Sequence, residues 1–189
     1  ITATAAKEEA ADEVETESRW KQLSDLALSR GEIRLAIECA ESGQDFSTLL
    51  LLYSSLGHKA GLESLAAKAA AAGRANIAFS AYFALGEVQE AAHILSRSGK
   101  AAEAVLFARA YCPSLVGELL PVWKEALESR SKRGDRGAQR ALASLAHPDS
   151  HPELFHGFDQ ALEAEAMLFS SDISSLSSSQ ADVLHKLAD

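Results

Sequence analysis

Gly86-Glu87-Val88-Gln89-Glu90-Ala91 and Gly99-Lys100-Ala101-Ala102-Glu103-Ala104 are two copies of one short pattern. Each copy runs glycine, charged residue, apolar residue, then alanine five places after the glycine. Gly31-Glu32-Ile33-Arg34-Leu35-Ala36 is a third copy. Behind each glycine the apolar residues recur at i, i+3, i+4 and i+7. Val88, Ala91, Ala92 and Leu95 follow this rule, as do Ala101, Ala104, Val105 and Ala108. So do Ile33, Ala36, Ile37 and Ala40, and Leu62, Leu65, Ala66 and Ala69. That spacing places the apolar residues on one face of an α-helix.

Outward from these copies, glycines fall at Gly31, Gly43, Gly57, Gly73, Gly86 and Gly99, with gaps of 12, 14, 16, 13 and 13 residues. Each gap holds a three-turn helix and a tight turn. Glycine just past a helix end takes the left-handed conformation without steric cost, so each of the six is expected at that position. The repeated alanines let neighbouring helices approach closely. The segments from Phe46 to Leu56 and around Phe79, Tyr82 and Phe83 are apolar on more than one side, so both are expected to be covered on more than one side. The fold class expected is all-α: an α-solenoid of antiparallel helix pairs, tetratricopeptide-like, over residues 18–169. A compact helical bundle shares the helix signals, but turns this short and regular favour the solenoid.

Composition agrees. Hydrophobic residues make up 47% of the 189, and alanine and leucine, the strongest helix formers, dominate. The net charge is −9, a poor balance for a phosphate-backbone binder and for broad adhesion to anionic lipid. The two cysteines, Cys39 and Cys112, form no C-x-x-C pair and no disulfide framework, which points to a reducing compartment. Ile1 to Glu17 is acidic and lacks the apolar segment of a secretory leader. It is expected to be a polar helix or tail. No apolar run is longer than Leu49 to Tyr53, which is far short of the ~20 residues a membrane helix needs.

Beyond Gly99 the pattern changes. Pro113 should start a new helix carrying Leu115, Leu119, Trp123 and Leu127, and Pro121 inside it predicts a kink or restart. Ser129 to Gln139, rich in glycine and charge, reads as a loop. A short helix over Ala141–Leu145 should close at His147-Pro148. A turn over Pro152–Phe158 is anchored by Leu154, Phe155 and Phe158, and a last core-facing helix covers Asp159–Phe169. Residues 170–189 read as a serine-rich tail with a short amphipathic helix over Gln180–Leu187.

Little in the sequence suggests catalysis. His147, His151 and His156, with Asp149 and Glu153 between them, form the densest histidine group. A metal site needs ligands converging on one point, and two of these histidines precede prolines on turn backbone. A solvent-exposed turn is the simpler reading. Cys39 lies between Glu38 and Glu41, the wrong setting for a nucleophilic thiolate, and both cysteines read as buried and inert. The glycines are too widely spaced for a phosphate loop, and the carboxylates fall on polar faces. No enzyme activity, cofactor or metal is expected. The run Arg130, Lys132, Arg133, Arg136 and Arg140 reverses the chain's sign and could meet an acidic partner or a lipid headgroup. A mobile solvated loop is the plainer reading.

The expected chemistry is therefore binding through helix faces. The wide apolar helices make Phe46, Leu49 and Tyr53, and Leu119, Leu120 and Trp123, the candidate partner-interface residues. The same residues could equally form inter-repeat core. A peptide-binding groove is the alternative, but polar groups suited to it are few, chiefly Asn76, Lys21 and Arg74.

Several blocks, in order, carry a family resemblance. They are Trp20-Lys21-Gln22-Leu23-Ser24-Asp25-Leu26-Ala27, Leu49-Leu50-Leu51-Leu52-Tyr53-Ser54-Ser55-Leu56-Gly57, and Asn76-Ile77-Ala78-Phe79. Glu103-Ala104-Val105-Leu106-Phe107-Ala108-Arg109-Ala110-Tyr111, Leu119-Leu120-Pro121-Val122-Trp123 and Ala143-Ser144-Leu145-Ala146-His147-Pro148 follow. Over roughly residues 19–167 this set resembles the coatomer WD-associated region, and looks closest to that of the beta-prime subunits of the COPI vesicle coat. The resemblance implies two β-propellers ahead of the solenoid, which these residues lack, so the chain looks like a segment of a longer one. It implies a structural role in coat assembly, with the coatomer alpha subunit and other coat subunits as partners. It implies a cytoplasmic location peripheral to Golgi and vesicle membranes, with membrane contact only through the assembled coat, and no nucleic-acid partner. The stretch Arg130–Gly137 and the serine-rich tail depart from the family pattern.

Overall fold

The computed structural model describes residues 2–170, with side chains over 15–169. The serine-rich tail and its expected helix lie outside the described residues, as do the side chains of 2–14. Among the described residues the secondary structure is helical throughout: α1 Thr2–Ser29, α2 Ile33–Ser42, α3 Phe46–Ser55, α4 Lys59–Ala71, α5 Ala75–Leu85, α6 Val88–Arg97, α7 Ala101–Tyr111, α8 Val116–Lys132, α9 Arg136–Ser144 and α10 Phe158–Ser170. Short 3-10 turns cover Pro113–Leu115 and Pro152–Leu154. The architecture is the expected all-α, tetratricopeptide-like solenoid class. The helices group into two compact units, one of α1–α5 and one beginning at Val88 with α6.

The tight turns follow one rule. In the turn after α4, the Gly73 N–H donates to the Ala70 carbonyl at 3.1 Å and the Arg74 N–H to the Ala69 carbonyl at 2.8 Å. This pair of bonds is the Schellman helix stop. Gly31–Glu32, Gly57–His58 and Gly99–Lys100 repeat it. In each case the residue after the glycine is also the N-cap of the following helix. One residue thus closes one helix and opens the next, so the chain reverses at once and successive helices pack antiparallel.

Gly43 departs from the expectation. Its φ is −88°, and Gln44 takes the left-handed conformation instead, at φ 50°. The Gln44 and Asp45 N–H groups make the Schellman bonds, to Glu41 at 3.2 Å and Ala40 at 2.9 Å. The helix therefore ends one residue later than the glycine suggests, and Gly43 is small for a different reason: it lies against Trp20.

Alanines set the helix spacing. Ala66, Ala69, Ala78 and Ala81 are fully buried where α4 packs on α5, and Ala91, Ala92, Ala104 and Ala108 where α6 packs on α7. Ser24 on α1 is buried against the fully buried Ala36 and satisfies its hydroxyl by donating to the Ala36 carbonyl at 3.0 Å. Larger side chains fill the remaining space. Leu49, Tyr53, Leu62 and Leu65 make the core of the first unit, and Val105, Cys112, Val116, Leu119 and Leu120 that of the second.

Three expectations for the C-terminal part need correction. Ser129–Gln139 is not a loop: α8 runs to Lys132, Gly134 turns at φ 88°, and α9 begins at Arg136. The sequence signal was masked because Asp135, read as one more loop charge, is the N-cap that starts α9. Next, of the kink or restart expected at Pro121, the restart does not occur: α8 runs continuously through it. Pro121 removes the N–H that would bond the Gly117 carbonyl, but both residues are exposed, so the missing bond leaves no buried polar group unpaired there. Finally, Leu154 is not an anchor, since it is 60% exposed. Phe158 does pack on the second core, with Phe155 edge-on to it at 5.8 Å.

Candidate functional site

The six residues read as a partner interface separate into buried and half-exposed sets. On α3, Leu49 and Tyr53 are buried against Leu62, Leu65, Ala66 and Ala81. The Tyr53 ring stacks on His58, and its hydroxyl donates to Glu41 Oε1 at 2.8 Å. Burial, reinforced by that acceptor, pushes the Tyr53 phenol up to about 12. His58 has a structural task as well: Nδ1 accepts from the Gly61 N–H at 2.9 Å and caps α4. Phe46 is half-buried. With Leu49, Glu41, Gln44 and Lys68 it lines an open groove of about 430 Å³. Leu51 on α3 and Leu56 just past its end are 66% and 53% exposed.

On α8, Leu119 and Leu120 are buried with Val116, Val105 and Cys112. Trp123 is half-buried, resting on that core and lining a slot of about 250 Å³ with Lys100, Ala126, Leu127 and Arg130. The surface carries Val122, and on α7 Leu106 and Tyr111, all substantially exposed.

The basic run lies on the corner between α8 and α9. Asp135 Oδ1 accepts from the Gly137 and Ala138 N–H groups at 2.8 and 3.0 Å, while Oδ2 accepts from Arg130 Nε and Nη2 at 3.0 and 2.7 Å. The Ala138 amide, together with the Arg130 guanidinium, holds the Asp135 carboxyl below the usual aspartate value. Lys132, Arg133, Arg136 and Arg140 are exposed.

His147 and His151, toward the C-terminal end, form local pairs. His147 lies 3.6 Å from Asp149 and His151 lies 3.3 Å from Glu153, as separate contacts. Among the described residues no three histidine, cysteine or carboxylate side chains converge as metal ligands. Cys39 and Cys112 are free thiols in the two cores. Burial, with the Glu165 charge nearby, pushes the Cys112 thiol up to about 11. Glu165 itself is a contact the sequence did not reveal. It is buried on α10 and accepts from Ser114 N at 2.7 Å and Ser114 Oγ at 2.6 Å, tying α10 to the turn that starts α8. Of the groove candidates, Lys21 reaches Asp45 at 3.9 Å and Arg74 is the N-cap residue of α5. Asn76 sits in the first turn of α5. No helix among the described residues is long and apolar enough to cross a membrane.

Comparison with known proteins agrees with this helix-pair architecture. Residues 2–124 match the family described as the COPA/B TPR domain. Coatomer subunit beta'-3 of Arabidopsis thaliana is 42% identical over 158 residues, 84% of this chain and 17% of that protein. Coatomer subunit beta'-2 of Oryza sativa subsp. japonica is 41% identical over 154 residues, 82% of this chain and 16% of that protein. Coatomer subunit beta' of Rattus norvegicus is 37% identical over 153 residues, 81% of this chain and 16% of that protein. The chain thus spans about a sixth of the length of these curated relatives. The similarity to coatomer beta' subunits covers most of the chain, extends beyond the domain match and includes both helical units, so the chain belongs to the COPA/B TPR domain family.

Proposed function

We propose that this chain is a non-enzymatic structural segment of a COPI-type coat subunit. It contributes to coat assembly by packing helix faces against the solenoid of the coatomer alpha subunit, in Golgi-to-ER and intra-Golgi transport. It works in the cytoplasm, at Golgi and vesicle membranes, and meets the bilayer only through the assembled coat. The observation that carries this reading is the domain match over residues 2–124, joined to the sustained similarity to coatomer beta' subunits.

Exposed apolar side chains on α3 support the same reading. Leu51 and, just past the helix end, Leu56 project into solvent, and Phe46 is half-open on another side, each an apolar side chain left for a partner to cover. On α8 the contact surface is Trp123 and Val122, with Leu119 and Leu120 supporting them from beneath. Leu49 and Tyr53 support Phe46 in the same way. Size-exclusion chromatography with light scattering, on the chain alone and mixed with the alpha-subunit solenoid, tests this. A stable complex that is lost on Leu51→Asp/Leu56→Asp, with the helix content kept, is the expected result. A chain that ignores the alpha solenoid overturns it.

The groove of about 430 Å³ beside Phe46 and Leu49 favours a second reading, an adaptor that takes a short peptide motif. A titration of peptide libraries that yields no micromolar binder removes that reading.

A further inference from the structure

The corner between α8 and α9 concentrates charge that the rest of the molecule does not neutralise. Residues 129–144 carry five cations and one carboxylate, net +4, so the rest of the chain carries −13. Asp135, the one carboxylate of that stretch, is spent on the α9 cap and on Arg130. Lys132, Arg133, Arg136 and Arg140 are exposed and make no ion pair or side-chain hydrogen bond among the described residues. Beside them opens the slot of about 250 Å³ lined by Trp123, Ala126 and Leu127, with Lys100 on its rim and Glu103 as its one carboxylate. Arg130 belongs to both features, so slot and corner are continuous.

We propose that this corner docks an acidic protein segment carrying one apolar anchor side chain, the anchor entering the slot beside Trp123 and the flanking carboxylates pairing with Arg133, Arg136 and Arg140. Three observations choose this occupant. The free cations are mostly arginine, whose planar fork pairs carboxylates bidentately and which is enriched at protein interfaces where lysine is depleted. The slot offers half-open aromatic and aliphatic surface, which a carboxylate alone cannot use. The rest of the same unit, residues 88–128 and 145–170, carries four cations and ten carboxylates, net −6, which disfavours a broad anionic bilayer but spares a narrow segment lying within a Debye length, about 8–10 Å, of the corner.

The inference stands apart from the coat reading, because its test contains no coat subunit. A fluorescein-labelled synthetic peptide of aspartates and glutamates around one phenylalanine is titrated with the full 189-residue chain, and anisotropy is read. We expect saturable binding that weakens as salt rises from about 50 to about 200 mM. It should fall about tenfold or more for Arg133→Glu/Arg136→Glu. It should also fall for Ala126→Glu, which fills the slot with like charge, and for the peptide with serine in place of phenylalanine. All the substituted side chains are exposed, and circular dichroism confirms that the variants keep their helices. Absence of binding, or binding unaffected by the arginine reversals, overturns the proposal. Equal affinity for the serine peptide overturns the anchor. Capture of the chain by phosphatidylserine vesicles but not by the peptide overturns it in favour of a bilayer.

Discussion

Gly43 and Trp20 touch so closely that a Cβ added to the glycine would sit 2.7 Å from the Trp20 Cβ. Neither belongs to a backbone conformation that demands glycine, since φ at Gly43 is −88°. The requirement is space, where the end of α2 meets α1. Gly43→Ala must push the two helices apart, and overpacking of this kind costs about 1–3 kcal/mol. Gln44→Gly, at the neighbouring left-handed position, relieves backbone strain while loosening the unfolded chain, and should change stability by less than about 1 kcal/mol. Chemical denaturation followed through tryptophan fluorescence separates the two. Equal midpoints would contradict the packing account.

The Ser114–Glu165 pair predicts a local release. Glu165→Ala removes the acceptor of two charge-assisted bonds from Ser114, at a cost of about 1.5–3 kcal/mol. Hydrogen exchange should quicken at Ser114 and along α10 while α2–α5 keep their protection. Uniform loss of protection would mean that Glu165 supports the whole chain.

Cys112 is fully buried and its thiol is pushed up to about 11, so almost none of it is thiolate near neutral pH. Cys39 is buried as well. A thiol reagent at pH 8 should modify neither cysteine in the folded chain and both after denaturation. Rapid native labelling of Cys112 would contradict its placement.

Asp135 makes the α8–α9 corner sensitive to acid. Its carboxyl is held below the ordinary aspartate value of about 3.9, so the contribution is complete above that value. It is lost as pH falls through the lower value of the folded state. In Asp135→Asn the acid limb contributed by this group should disappear from a stability–pH profile, while stability near neutrality also drops because the pair with Arg130 is gone. A variant with the parent's acid profile would refute this.

His58 caps α4 through its unprotonated Nδ1, an uncommon use of histidine. His58→Ala should cost about 1 kcal/mol, and His58→Asp should recover most of it by accepting from the same amide. If aspartate proved no better than alanine, the stack of His58 on Tyr53 would be the larger contribution.

The interface candidates were legible only in part. Apolar density marked α3 as a helix packed on more than one side, with Leu49 and Tyr53 in one cluster and Leu52 in another, and marked α8 as an apolar helix. It could not separate Leu49, Tyr53, Leu119 and Leu120, which face the cores, from Leu51, Leu56 and Val122, which face water. A run of four leucines presents every helical phase at once, so periodicity has nothing to select. The basic stretch failed for a related reason. Its composition suits a loop, and Asp135 reveals itself as a cap only when the Gly137 and Ala138 amides are seen to point at it.

By itself the sequence determined the all-helical class, the position of most turns and the four alanine-lined faces, because these depend on residues near in the chain: glycine stops and i, i+3, i+4, i+7 spacing. Only the tertiary structure decided why Gly43 must be small, how Glu165 reaches Ser114 across fifty-one residues, and which leucines are left exposed. Those facts depend on which helix lies against which, and local propensity carries no record of a distant neighbour.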